Sequence, residues 1–178
     1  RLTPFTRDAD ALRTAVSGVE PYGTTRLYDA IATTVRAVSQ DTPRARAVML
    51  LTDGMDNASQ LSPSEAASAA AALDLPLYVL AVDGDESAIK RSPVPSISRS
   101  ARAETMSLNE LAVRTGGLAS EPATAMELRA TTHAILDELR HQYVLAIPAA
   151  SVRGWHELSV RVRRGRVHAR SREGYFVS

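Results

Sequence analysis

Two uncharged apolar runs constrain this chain more than any other feature. They are Ala47-Val48-Met49-Leu50-Leu51 and Leu77-Tyr78-Val79-Leu80-Ala81-Val82. Each has the length of a strand, and neither alternates with polar residues. Strands of that kind are covered on both faces, as in a parallel sheet. Between the runs, Ser62-Pro63-Ser64-Glu65 combines capping-box chemistry with proline at the first helical position, and an alanine-rich stretch follows to Leu73. Strand, helix, strand in that order predicts an α/β domain.

The flanking segments extend the pattern. Asp8 or Asp10 can cap a short helix carrying Leu12, Val16 and Val19. Leu27, Ile31, Val35 and Val38 recur at helical spacing up to about Gln40. Ser107-x-x-Glu110 and Thr124-x-x-Glu127 are two more capping boxes, the second opening a helix to about Arg140. Gly116-Gly117 ends the first of these helices, and a short strand is expected around Leu118. Residues 83–104 are rich in Ser, Pro and Arg and lack periodicity, which makes them a long loop for a compact domain.

The last segment changes character. Residues 143–147, 156–163 and 167–175 are expected to be strands, with Arg164-Gly165 as a turn. Leu158, Val160 and Val162 alternate with Ser159, Arg161 and Arg163, so one face is buried and the other wet. The expectation is an α/β domain over residues 1–142 with a mostly parallel sheet flanked by helices. A C-terminal antiparallel β extension over residues 143–178 packs on it.

Composition narrows the chemistry. At 178 residues the chain is long enough for one cored domain, and it has no cysteine to supply disulfides, thiolate metal ligands or a nucleophile. Its net charge of +1 argues against a whole-protein polyanion binder. The arginines of the C-terminal hairpin are not interleaved with stacking aromatics, so no nucleic-acid partner is expected. No apolar run approaches the ~18 residues of a membrane span. There is no Gly-x-Ser-x-Gly elbow and no phosphate-binding Gly-Lys loop, and Lys90 is the only lysine. His133, His141, His156 and His168 lack metal-ligand spacing and are expected to be packed or solvated.

Two segments carry candidate chemistry. In Leu50-Leu51-Thr52-Asp53-Gly54-Met55-Asp56-Asn57 a buried strand ends in a carboxylate followed by glycine. That puts Asp53 at the carboxyl edge of the sheet, where ligand sites of open α/β sheets lie, as a ligand or as a strand-end residue that merely caps the following turn. Asp56 and Asn57 add oxygens, and an oxygen-only set suits Mg²⁺ or Ca²⁺ rather than zinc. In Gly23-Thr24-Thr25-Arg26-Leu27-Tyr28-Asp29-Ala30, Thr25 brings a hydroxyl to a helix start, as a ligand or as a plain N-cap.

Taken together, these segments resemble the von Willebrand factor type A domain. The first is similar to that family's apolar-strand-Thr-Asp-Gly motif, the second to its Gly-Gly-Thr-x-Leu-Tyr-Asp-Ala helix start, with Thr24 in place of the second glycine. Thr115-Gly116-Gly117 and the sequence from Arg140 through Trp155 to Tyr175 are similar to a bacterial branch that ends in a β-hairpin. The resemblance implies a doubly wound sheet and a metal-ion-dependent adhesion site that binds Mg²⁺, with Mn²⁺ or Ca²⁺ as alternatives. It makes Thr25 and Asp53 metal ligands and puts Thr24, Asp29, Gly54 and Asp56 at the rim or behind the ligands. A protein partner would complete the shell with a carboxylate.

The family's Asp-x-Ser-x-Ser loop is not in this sequence. Val94-Pro95-Ser96-Ile97-Ser98 lacks the aspartate and does not follow a strand. The sequence begins just before the first predicted helix, so the family's first strands and helix are expected to be missing. The site is therefore expected to be incomplete and to bind weakly. The function implied is a non-enzymatic protein-binding module, with an extracytoplasmic location. The alternatives are a metal-independent structural or assembly domain and, more remotely, a metal-assisted hydrolase built on Asp53. An open sheet edge would allow a homodimer.

Overall fold

The computed structural model describes residues 3–20, 23–39, 46–53, 55–72, 75–82, 108–143, 145–148, 150–163, 165 and 169–177. Gly54, Ser107, Arg164, His168 and the 83–104 stretch with Lys90 lie outside the described residues. The helices are α1 (Ala9–Ser17), α2 (Leu27–Ser39), α3 (Pro63–Ala72), α4, described over 108–114, and α5 (Ala125–Arg140). The strands are β1 (Val48–Thr52), β2 (Leu77–Ala81), β3 (Leu118–Ser120), β4 (Gly154–Glu157) and β5 (Gly174–Val177). The protein is thus a mixed α/β structure.

Local chemistry sets the helix starts. Asp8 caps α1 by accepting from the Asp10 and Ala11 N–H groups. At α3 the Ser62 N–H donates to Glu65 Oε2 at 2.8 Å while the Glu65 N–H donates to Ser62 Oγ at 3.3 Å, a closed capping box. Thr124 Oγ1 accepts from the Glu127 N–H at α5, and the Glu127 carboxylate reaches back to the Ala123 N–H.

β1, β2 and β3 form a parallel sheet in that order, in register from Val48 opposite Leu77 to Thr52 opposite Ala81, and from Tyr78 opposite Leu118 to Leu80 opposite Ser120. β2 is the middle strand, and its side chains divide by the strand's two-residue period. Leu77 and Val79 join Ile31 and Val35 of α2, Ala66 and Ala70 of α3 and Leu111 of α4 in one buried cluster. Tyr78 and Leu80 pack with Ile135 of α5 in a second cluster. Helices therefore cover both faces of β2. Each large apolar side chain buried there contributes roughly 1.5–3 kcal/mol.

β1 differs from its expectation. Val48 and Leu50 pack on the first cluster, but Met49 and Leu51 on the other face remain 40% and 60% exposed. Among the described residues α5 spans Tyr78 and Leu80 on that face, and of the apolar run only Ala47 packs with it. Among the described residues β1 is thus covered on one face and stands at the edge of the sheet. α1 is similar: it buries no residue, and Leu12, Val16 and Val19 are exposed.

Thr115-Gly116-Gly117 acquires a physical role at the entry to β3. Thr115 Oγ1 is buried, donates to the Ala112 carbonyl and accepts from the Leu77 N–H at 3.0 Å. A Cβ on Gly117 would lie 2.0 Å from the Leu77 carbonyl oxygen, so only glycine lets the chain pass β2 this closely.

The C-terminal segment is less regular than its alternation suggests. β4 and β5 pair antiparallel, Gly154 opposite Val177 through Glu157 opposite Gly174. Residues 145–148 and 158–163 form no strand, which corrects the longer strands expected there. Alternation supplies an apolar face without specifying its cover: Val160 and Val162 remain exposed, and a two-stranded ribbon is marginal alone. Within the segment the Tyr175 hydroxyl accepts from the Ala150 N–H at 2.9 Å, and Arg170 ties the segment to α5 by pairing with Glu138.

Candidate functional site

The site forms where β1 ends. The Val82 N–H donates to the Thr52 carbonyl at 2.7 Å, carrying the sheet to the carboxyl end of β1. Asp53 follows, exposed, and its Oδ1 accepts from the Met55 N–H at 3.1 Å. That is the hydrogen bond of an Asx turn. Residues 55–62 then cross the N-terminus of α2.

That helix start has no good cap of its own. The Ala30 N–H donates to the Arg26 carbonyl, which makes Arg26 the capping position, and arginine has no acceptor to offer. The acceptors come from the crossing loop instead. Asp56 Oδ2 accepts from the Leu27 N–H at 2.7 Å and from the Tyr28 N–H at 3.3 Å. Ser59 Oγ accepts from the Tyr28 and Asp29 N–H groups at 3.0 and 3.2 Å and donates to Asp56 Oδ2. The other carboxylate oxygen, Oδ1, accepts from the Ala58 and Ser59 N–H groups.

A second set of bonds fixes the preceding turn, where Gly23 has φ +82°. Asn57 Oδ1 accepts from the Thr25 N–H at 2.8 Å, and the Thr25 carbonyl accepts from the Asn57 and Ala58 N–H groups. Asp29 closes the far end of the loop, its carboxylate accepting from the Gln60 and Leu61 N–H groups at 3.0 to 3.2 Å. Thr25 and Asp53 are thus exposed residues on two segments bound directly to each other. Thr24 is exposed beside Thr25, while Asp29 and Asp56 are partly buried and occupied in holding the loop. Gly54 lies outside the described residues. Thr25 does not act as the N-cap, because Asp56 and Ser59 take that role.

Electrostatics follow from the same bonds. Burial alone would push the Asp56 carboxyl up. The Ser59 hydroxyl and the N–H groups of Ser59, Tyr28 and Leu27 outweigh it and hold the carboxyl below its ordinary value. Asp56 is therefore a fixed anion at the positive end of the α2 dipole.

The donor set fits a hard cation in kind. The Thr25 hydroxyl and the Asp53 carboxylate are oxygen donors of the type that Mg²⁺ prefers, with remaining positions left for water. Among the described residues no three His, Asp or Glu side chains converge as a metal-holding group. His141 and His156 sit elsewhere, each with a ring nitrogen on a backbone carbonyl. The residue that sequence reasoning missed is Ser59. Its signal was indirect: a helix opening on Arg26-Leu27 without a local cap needs one from elsewhere in the chain.

No family model, no curated protein and no solved structure matches this chain. Among the described residues no helix is long and apolar enough to cross a membrane.

Proposed function

We propose that this chain is a protein-binding module of the von Willebrand factor A type, with a doubly wound sheet and a divalent-cation site at its carboxyl edge. In this reading Thr25 and Asp53 hold Mg²⁺ or Mn²⁺, and a carboxylate from a protein partner completes the shell. The chain is then a binding protein rather than an enzyme. The observation that supports the reading is the direct bonding of the Thr25 turn to the loop after Asp53, through the Thr25 N–H on Asn57 Oδ1 and the Asn57 N–H on the Thr25 carbonyl. Two exposed oxygen donors on segments fixed to one another at a strand end are what an open cation site needs.

Thermal unfolding with Mg²⁺ or Mn²⁺ tests this reading, because a ligand that binds only the folded state stabilises it by about 2.7 kcal/mol at a hundred-fold excess over Kd. The expected result is a rise in Tm that a chelator reverses and that Asp53→Ala abolishes. A Tm indifferent to either cation at millimolar concentration would reject it.

A second reading, a metal-independent assembly domain, is favoured by a different observation. The edge strand β1 exposes Met49 and Leu51, and α1 exposes Leu12, Val16 and Val19. An uncharged edge strand pairs readily with another chain, a second copy included. Sedimentation separates the readings: self-association that ignores the chelator supports assembly, and a monomer at all concentrations removes the homodimer.

A further inference from the structure

We infer that Asp56 is the positioning residue of the cation site: it sets cation affinity by capping α2 from the loop after β1, without itself being a ligand. The inference rests on the cation reading above. It goes beyond it, because it assigns affinity to a residue whose carboxylate faces the helix start.

Asp56 bonds to both the helix start and its own loop. Both oxygens are engaged, Oδ2 with the Leu27 and Tyr28 N–H groups and the Ser59 hydroxyl, Oδ1 with the Ala58 and Ser59 N–H groups. One carboxylate therefore ties the first turn of α2 to the loop that begins at Asp53. Thr25 precedes that turn and is joined to the same loop through Asn57. The Thr25–Leu27 segment and the loop that follows Asp53 are thus held together by adjacent links, at Asp56 and at Asn57. Asp56 and Ser59 share the capping, because Arg26 at the capping position supplies no acceptor.

A small cation demands near-octahedral geometry and does not follow ligands that drift apart. Loosening the Asp56 link lets the helix start and the loop separate, so the two donors reach one ion less often. Residues behind metal ligands typically change affinity by 10–100-fold when removed. Asp56→Ala is expected to weaken Mn²⁺ binding about ten-fold. Ser59→Ala removes the other half of the same cap and keeps the charge of Asp56. It is expected to weaken binding in the same direction, and the double variant should be less than additive, because both act through one link. Asp56→Asn keeps an oxygen that can cap the helix and loses the charge. It should recover most of the affinity lost in Asp56→Ala.

The experiment is a Mn²⁺ titration of the full chain and these variants. It is paired with the amide ¹⁵N and ¹H shifts of Thr25 and Leu27 recorded without metal. Circular dichroism first establishes that each variant is folded, and Ser59→Ala serves as the milder lesion if Asp56→Ala is not. The expected result is a loss in Asp56→Ala and Ser59→Ala, recovery in Asp56→Asn, and Thr25 shifts that move in proportion to the loss. If Ser59→Ala binds as the wild type does while Asp56→Asn stays weak, Asp56 acts through its charge and the positioning role is overturned. If the wild-type chain shows no saturable binding, the cation reading itself fails, and this inference with it.

Discussion

Gly117→Ala tests how the sheet that carries the site is held together. The added methyl would sit 2.0 Å from the Leu77 carbonyl oxygen and 2.6 Å from its carbon. Carbon and backbone oxygen do not approach within about 3 Å, so β3 must retreat from β2 by roughly 1 Å, beyond the slack of a close-packed interior. Two consequences add. Overpacking typically costs ~1–3 kcal/mol. The pairing of Tyr78 to Leu80 with Leu118 to Ser120 is strained at its first rung, where each ladder hydrogen bond contributes about 1 kcal/mol. The expected destabilisation is about 2–4 kcal/mol, a large part of the ~5–15 kcal/mol that holds a typical domain together. Urea unfolding followed by circular dichroism reads it as a fall in midpoint at unchanged slope. A variant within about 0.5 kcal/mol of wild type would refute the close approach of β3 to β2.

Three other outcomes are expected. Tyr78 is buried, and burial, with its hydroxyl donating to Glu138 at 2.7 Å, pushes the phenol up to about 12. Its stabilising contribution should be complete below pH 10, the unfolded value, and fade as pH rises towards 12; spectrophotometric titration of Tyr78→Phe against wild type identifies the late-titrating tyrosine. For Asp56 the sign is opposite: its carboxyl lies below 3.8 in the folded chain, so its contribution is complete above that pH and is lost as pH falls through the folded value. Urea midpoints measured down the acid limb should fall less in Asp56→Ala than in wild type. Asp29→Ala should cost about 1–2 kcal/mol and speed amide exchange at Gln60 and Leu61, whose N–H groups its carboxylate accepts.

What could be read from the sequence was local. Ser62-Pro63-Ser64-Glu65 carries its own helix start, because a capping box is closed by residues three apart. The apolar runs at 47–51 and 77–82 mark the parallel strands because burial on β2 is nearly complete. The bonds that build the site were not legible. Asp56 meets Leu27, and Asn57 meets Thr25, only after the chain has folded back, and nothing in the spacing of either segment encodes that meeting. The expectations that went furthest astray read cover from pattern. Met49, Leu51, Val160 and Val162 sit in apolar patterns, and a pattern names the face to be covered, not what covers it. Thr25 illustrates the same limit, since a threonine before a helix is a reasonable cap until a loop from elsewhere supplies a better one.

In the reading proposed above, Thr25 and Asp53 hold one cation at the end of β1. Calorimetric titration of the chain with Mn²⁺ and Mg²⁺, with Asp53→Ala as the control, tests it most directly. The expected result is saturable binding of one ion per chain that is lost in the variant. Binding that survives Asp53→Ala unchanged, or no binding in the wild-type chain, would contradict it.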